Sequence, residues 1–173
     1  CRLLKDHPDA SQWKRAVRMY ADYYQTIAEY TAPYYMIPAG IYDLQQAEDE
    51  VETQQVKNGI ALNDRYYLKR FPVWKSFRGN SGTILSQAKG LAYLGNYLGD
   101  RDLMLLAYRQ LEWHLGLNPF NQSLMYGEGH RYGNQYSSMS GDIVGGLPVG
   151  VQTHFNRDIP YWPTESAYNW KEI

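Results

Sequence analysis

Two amphipathic helical patterns follow one another between residues 80 and 116, separated by Gly99 and Asp100. Either Asn80 or Ser81 can cap the first helix, and Asp100 can cap the second. Apolar residues recur at three- and four-residue steps in both, so each helix has one face to bury. These inward positions are Ile84, Leu85, Ala88, Leu91, Ala92, Leu94 and Leu98, then Leu103, Leu106, Ala107, Leu111, His114 and Leu115. Because so short a break turns the chain straight back, the pattern predicts an antiparallel helical hairpin and a predominantly α fold.

A further helix is predicted near the start of the chain, from Asp9 to Thr31. Asp9 and Gln12 have the spacing of a capping box. One apolar stripe follows at helical spacing, formed by Trp13, Val17, Tyr20, Tyr24, Ile27 and Ala28. The acidic segment Gln45–Val56 is either an exposed helix or a solvated insertion. The segment Tyr66–Trp74 is aromatic and β-prone, yet Pro72 argues against a central strand.

A long segment without helical or strand pattern runs from Gly116 to Trp162 and is rich in Gly, Tyr, Asn and Ser. A compact domain rarely carries so long an irregular loop unless the loop has a function. Asn118-Pro119 and Asn121 are expected to end the preceding helix and to set the direction of the loop. Pro163 then starts a new helical pattern with Glu165 in its first turn.

Composition excludes several classes of function. The 173 residues are enough for one domain, and the formal net charge of −1 leaves no electrostatic footprint for nucleic acid or an anionic membrane. No apolar run approaches the roughly 20 residues that cross a bilayer. We therefore expect neither nucleic acid nor membrane as a partner. The 17 tyrosines and 5 tryptophans suit a protein that stacks aromatic rings on sugars, although such rings also fill cores.

The candidate site residues lie in the irregular segment and just after it. Glu128 stands between two glycines, where it either hydrogen-bonds sugar hydroxyls or braces the loop. His130 and Arg131 either contact substrate or form a surface pair. The candidates for stacking on sugar rings are Tyr126, Tyr136 and Trp162, with Tyr132 and Tyr161 as further aromatic residues.

Other polar residues have simpler interpretations. Asp142 is most simply a turn residue. His114 lies on an apolar helical face and is interpreted as a core histidine whose hydrogen bonds are satisfied. No zinc-ligand spacing, phosphate loop or nucleophilic Cys–His arrangement is present in the sequence, so we expect no metal and no cofactor.

Four ordered segments together resemble a known family. They are Leu115-Gly116-Leu117-Asn118-Pro119, Ser123 with Tyr126-Gly127-Glu128-Gly129, Gly145-Gly146-Leu147-Pro148, and Thr164-Glu165-Ser166-Ala167-Tyr168-Asn169-Trp170. In this order they resemble the C-terminal third of glycoside hydrolase family 9, the endoglucanase and cellulase family. The resemblance covers residues 76–173 well and the preceding residues only as plausible helices.

The resemblance implies an all-α (α/α)6 toroid with a long irregular active-site loop. Residues 1–173 would be the C-terminal portion of that single catalytic domain, incomplete at both ends. It also implies inverting hydrolysis of a β-glucan-like polysaccharide or oligosaccharide, in a secreted or periplasmic protein. Glu165 matches the position of the family's general acid. The family's Asp-Ala-Gly-Asp segment is absent, so the base would come from the remaining N-terminal part of the same protein.

Three departures from the family pattern keep alternatives open, and the first is the missing Asp-Ala-Gly-Asp segment. Thr164 stands where Asn usually precedes the acid, and Gly133-Asn134-Gln135-Tyr136 replaces the family's Pro-His-His-Arg segment. Inversion needs two carboxyl groups about 6.5–9.5 Å apart, so Glu165 cannot act alone, and Glu172 is a rival acid. A toroidal polysaccharide lyase using Tyr, His and Arg is one alternative, and a non-catalytic glycan-binding relative is the other.

Overall fold

A computed structural model describes residues 4–70, 81–133, 143–147, 150, 152–153 and 160–161. Short 3-10 helices at Glu29–Thr31 and Leu44–Gln46 supplement the regular elements. In chain order, the regular elements among the described residues are α1 (Ala10–Ala28), β1 (Gly40–Asp43), α2 (Glu50–Lys57), β2 (Ile60–Ala61), β3 (Tyr66–Lys69), α3 (Ser81–Leu98), α4 (Arg101–His114), β4 (Gln152–Thr153) and β5 (Pro160–Tyr161).

The prediction of an all-α toroid is wrong, because the fold is mixed α/β. Strands β1, β3 and β2 form a three-stranded antiparallel sheet in that order. The Asn63 side chain builds the turn between β2 and β3, its Oδ1 accepting from the amides of Arg65 at 2.9 Å and Tyr66 at 2.8 Å. This side-chain turn reverses the chain so that Ile60 pairs with Leu68.

The central strand of this sheet is β3, although Pro72 argues against a central strand in this segment. The strand ends at Lys69, before Pro72, so the missing amide of the proline does not interrupt the hydrogen-bond ladder. Lys69 is almost fully buried, and its Nζ donates to the Gln55 carbonyl at 2.8 Å. That bond ties α2 to the sheet. The helical alternative for Gln45–Val56 is confirmed by α2 from Glu50 onward, although Gln55 and Val56 are buried rather than exposed.

The predicted helical hairpin is confirmed by α3 and α4, which pack against each other. The Asp100 carboxylate caps α4 by accepting from the amides of Asp102 and Leu103, both at 3.1 Å. Leu91, Leu103, Leu106 and Ala107 join Ala21, Ile27 and Ala28 of α1 in the main core. Two predicted inward residues point outward, since Leu111 is 43% and Leu115 62% exposed.

The bounds predicted for the first helix are confirmed by α1 with its 3-10 extension, but its cap is not. Asp9 occupies the N-cap position with φ −89° and ψ 4° and makes no side-chain capping bond, so there is no capping box. Only the C-terminal part of the predicted stripe is buried, because Ile27 and Ala28 reach the core whereas Tyr20 is 62% exposed. None of the described helices combines the length and apolarity needed to span a bilayer.

Candidate functional site

The loop that follows α4 begins from a firmly anchored helix end. Trp113 is 1% exposed and belongs to a second core with Met36, Ile84 and Leu124, against which Phe120 packs. Gly116 adopts φ +116°, a backbone conformation that a residue with a Cβ rarely adopts. The chain therefore leaves the helix in a fixed direction.

Asn118 shapes the first turn of the loop, as the sequence predicts. Its side chain is buried, and its Nδ2 donates to the carbonyls of Trp113 at 2.7 Å and Gln122 at 2.8 Å. Its Oδ1 accepts from the amide of Phe120 at 3.1 Å. One amide side chain thus satisfies one carbonyl of the last helical turn and two backbone groups of the loop.

Ser123 and its partners close the loop into a ring. Its amide donates to the Arg131 carbonyl at 2.7 Å, and its carbonyl accepts from the amide of Gly133 at 3.4 Å. Gly129, at φ +89°, lies against Ser123, where an added Cβ would come within 3.3 Å of the serine Cβ. Ser123, Arg131 and Gly133 therefore close the base of the loop, and Leu124 packs in the second core.

The structure brings two of the resembling segments together. The Tyr126 amide donates to the Gly146 carbonyl at 3.0 Å, and the Gly145 amide donates to the Tyr126 carbonyl at 2.7 Å. Gly127 has φ +72°, and a Cβ there would come within 3.0 Å of the Val144 side chain. The Tyr-Gly-Glu-Gly and Gly-Gly-Leu segments thus form one surface, which we call the loop surface (residues 115–133 and 143–147).

Four of the predicted substrate-contacting residues lie on this loop surface. The half-buried ring of Tyr126 meets the ring of Tyr132 edge-on, with 5.5 Å between centroids and 73° between planes. Glu128, His130 and Arg131 are exposed. His130 and Arg131 share a cleft of about 300 Å³ with Ser123 and Gly129. The loop surface therefore presents an aromatic face, a carboxylate, an imidazole and a guanidinium to a ligand.

The remaining predicted site residues lie outside the part of the chain that the structure describes. They are the proposed acid Glu165, the stacking candidates Tyr136 and Trp162, the turn residue Asp142 and the rival acid Glu172. The backbone of Tyr161 is described, as part of β5 paired with Gln152. Within the described ranges, no group of three or more His, Cys, Asp or Glu side chains could hold a metal ion.

His114 lies directly beneath the loop and is buried, as predicted. Its Nδ1 lies 2.8 Å from the Gln110 carbonyl, whereas its Nε2 has no hydrogen-bond partner among the described residues. Burial lowers the pKa of His114, and the Gln110 carbonyl opposes that shift only in part. The prediction that its hydrogen bonds are satisfied is therefore correct at one ring nitrogen only.

A second polar cleft lies between the sheet and α2, and it was not predicted from the sequence. It has a volume of about 680 Å³ and includes an ion pair between Asp43 and Arg65. Hydrogen bonds from the Arg65 guanidinium hold the pKa of Asp43 below its ordinary value. The Asn63-Asp64 turn between two apolar runs is the sequence feature that could have revealed this part of the fold.

Comparisons of the chain with protein-family models, with curated proteins and with solved structures found no match. Membership of glycoside hydrolase family 9 therefore remains a prediction. It rests on the four ordered sequence segments alone.

Proposed function

We propose that this protein hydrolyses glycosidic bonds in a β-glucan-like polysaccharide or oligosaccharide, with Glu165 as the general acid. The observation that carries the proposal is the preorganised loop surface, on which an aromatic pair and three exposed polar side chains are held by glycines with positive φ. Binding sites that are rigid before the ligand arrives lose less conformational entropy on binding.

The proposed mechanism uses two carboxyl groups, one as general acid and one as general base. Glu165 donates a proton to the leaving oxygen as the glycosidic C–O bond breaks. A carboxylate on the opposite face of the sugar ring takes a proton from the attacking water, so the anomeric configuration inverts. We assign this base to preceding polypeptide, because the family's Asp-Ala-Gly-Asp segment is not among these 173 residues.

The loop surface has the role of orienting the sugar in this proposal. The Tyr126 and Tyr132 rings supply an apolar face for the C–H side of a sugar ring. Glu128 accepts hydrogen bonds from hydroxyl groups, and the guanidinium of Arg131 donates them. Fixed contacts of this kind keep the scissile bond beside the acid, which contributes to catalysis through positioning.

The first test is Glu165→Gln in the intact protein, with Glu172→Gln as the matched control on the same segment. Removing the proton donor is expected to lower kcat on β-glucans by about 10²–10⁴-fold. Reducing-sugar release measures the rate, and NMR of the first product gives its anomeric configuration. Unchanged hydrolysis in Glu165→Gln would exclude this residue from the mechanism. A loss of kcat in Glu172→Gln alone would instead identify Glu172 as the general acid.

The second test concerns the loop surface. Glu128→Gln preserves the shape of the side chain but weakens its hydrogen bonds to hydroxyl groups. It should therefore raise KM and leave the thermal stability of the protein unchanged. Glu29→Gln, at an exposed glutamate next to α1, serves as its control. Equal KM values in both variants and in the unmodified protein would exclude Glu128 from substrate binding.

One alternative enzyme class is favoured by a specific observation, the presence of His130 and Arg131 in one cleft. A polysaccharide lyase uses such groups to neutralise a uronic acid and to take the proton beside it. Its products contain a new double bond and absorb ultraviolet light, whereas hydrolysis yields reducing sugar alone. Glycan binding without either product would instead identify a non-catalytic relative.

A further inference from the structure

The cleft between the sheet and α2 contains the chemistry of a second binding site, in a different part of the chain from the loop surface. Its volume of about 680 Å³ falls within the range of about 300–1,000 Å³ that small-molecule sites occupy. The side chains that give it its character are Tyr42, Asp43, Glu52, Arg65 and Tyr66. We infer that this cleft binds a neutral saccharide, and we call it the sheet cleft.

The polar centre of the sheet cleft is rigid without a ligand. Asp43 and Tyr66 face each other in the β1–β3 register. The Nε of Arg65 lies 2.9 and 3.0 Å from the two carboxylate oxygens of Asp43, and its Nη2 bonds to the same carboxylate. The Arg65 carbonyl also accepts from the Leu44 amide at 2.9 Å. Both the backbone and the side chain of Arg65 are therefore held in place.

Arg65 retains donors for a ligand. A guanidinium has five N–H groups, and the Asp43 pair engages its Nε–H and one Nη2–H. Its side chain is 48% exposed and lines the cleft. A guanidinium presents these donors in a fixed plane, whereas a lysine ammonium group does not.

The aromatic part of the sheet cleft lies directly beside this donor group. The Arg65 Cζ lies 5.1 Å from the centroid of the Tyr66 ring, so ring and guanidinium support each other. Tyr66 remains exposed, and Tyr42 lines the same cleft. An aromatic face beside an ordered hydrogen-bonding group suits a sugar, which has an apolar C–H face bordered by hydroxyls.

The charge around the sheet cleft favours neutral glycans over acidic ones. Arg65 and Asp43 neutralise each other, and three exposed acidic residues, Glu48, Asp49 and Glu50, lie close by in sequence. Uronate or sulfated polysaccharides would be repelled at this surface, most strongly at low salt. Neutral glycans carry no such penalty, and this favours them as the occupant.

The experiment is calorimetric titration of the intact protein carrying Glu165→Gln, with cellohexaose as the neutral probe. Tyr66→Ala and Arg65→Lys should each weaken binding at one site about tenfold, because they remove the stacking face and the planar donor. The matched controls are Tyr30→Ala, an exposed tyrosine outside the cleft, and Arg109→Lys, an arginine whose Cζ lies 5.7 Å from the centroid of the Tyr35 ring. Both controls should bind cellohexaose like the parent.

Three outcomes would overturn the inference. They are unchanged affinity in both cleft variants, equal losses in the controls, and tight binding of oligolysine without binding of cellohexaose, which would assign the cleft to a basic peptide. Thermal unfolding of each variant separates a lost contact from a lost fold. The titration measures binding without turnover. A negative result would therefore not contradict the role of Glu165 in hydrolysis, and a protein that does not hydrolyse glycans could still bind them in the sheet cleft.

Discussion

At the scale of single residues, His114 is a buried titratable group with one ring nitrogen lacking a hydrogen-bond partner among the described residues. It is buried next to Trp113, with ring centroids 5.7 Å apart, and only Nδ1 has a hydrogen-bond partner there. A neutral imidazole that donates from Nδ1 leaves Nε2 as a bare acceptor. Protonation would place a charge in this apolar surrounding, which explains the lowered pKa.

This lowered pKa gives a pH dependence of stability with a definite sign. Below the ordinary histidine pKa of about 6.5 the unfolded chain binds a proton that folded His114 does not, so stability rises with pH. The free energy of unfolding should therefore fall as pH drops from 7.5 to 5.5, by up to about 1.4 kcal/mol per pH unit. Denaturant titrations at a series of pH values measure it.

Two variants identify the group responsible. His114→Gln cannot titrate and should flatten the pH dependence over this interval. His7→Gln, at an exposed histidine, serves as the control. Equal slopes in the parent and in His114→Gln would mean that another group carries the effect.

At the scale of elements, two glycines of α3 show how packing decides the effect of one methyl group. A Cβ at Gly90 would meet no atom within 4 Å. A Cβ at Gly95 would lie 3.0 Å from both the Asp100 carbonyl oxygen and the Met104 backbone nitrogen. The close approach of α3 and α4 therefore depends on Gly95.

Alanine at these positions should have opposite effects on stability. Gly90→Ala reduces the entropy of the unfolded chain and should raise the free energy of unfolding by about 0.5–1 kcal/mol. Gly95→Ala forces the helices apart and should lower it by about 1–3 kcal/mol. Thermal and chemical denaturation provide the measurement, and effects of the same sign would contradict the packing of α3 on α4.

At the scale of the whole molecule, one ion pair joins α1 to the turn of the helical hairpin. The Arg18 guanidinium donates to the Asp100 carboxylate at 2.8 Å, while the same carboxylate caps α4. The Arg18 bond and the Leu103 amide together lower the pKa of Asp100. This stabilisation is present above the unfolded pKa of about 3.9 and is lost as pH falls through the lower folded value.

Substitutions of Asp100 separate the cap from the ion pair. Asp100→Ala removes both and should cost about 1 kcal/mol for the cap alone. Asp100→Asn keeps the cap and loses only the exposed pair, so it should cost less, about 0–1 kcal/mol. Denaturation at low and high salt tests this, since salt screens the pair but not the cap. Equal costs for both variants would show that the cap contributes nothing.

The candidate site was predictable where its residues act locally. Asn118 bonds to groups within five residues of itself. The glycines on either side of Glu128 predict the positive φ angles that the structure shows there. The contact of Tyr126 with Gly145 and Gly146 depends on how the loop folds back. The sheet cleft also depends on distant partners, because it needs Asp43 and Arg65 together.

By itself, the sequence determined the hairpin of α3 and α4 and the span of α1, because the Asp100 cap, the glycine stop and the apolar period each depend on residues close together in sequence. Tertiary structure decided the rest. It paired β1 with β3, left Leu115 exposed and closed the loop through Ser123 and Arg131. These features join residues that are distant or non-periodic in sequence, and their stability comes from contacts that exist only after the chain has folded.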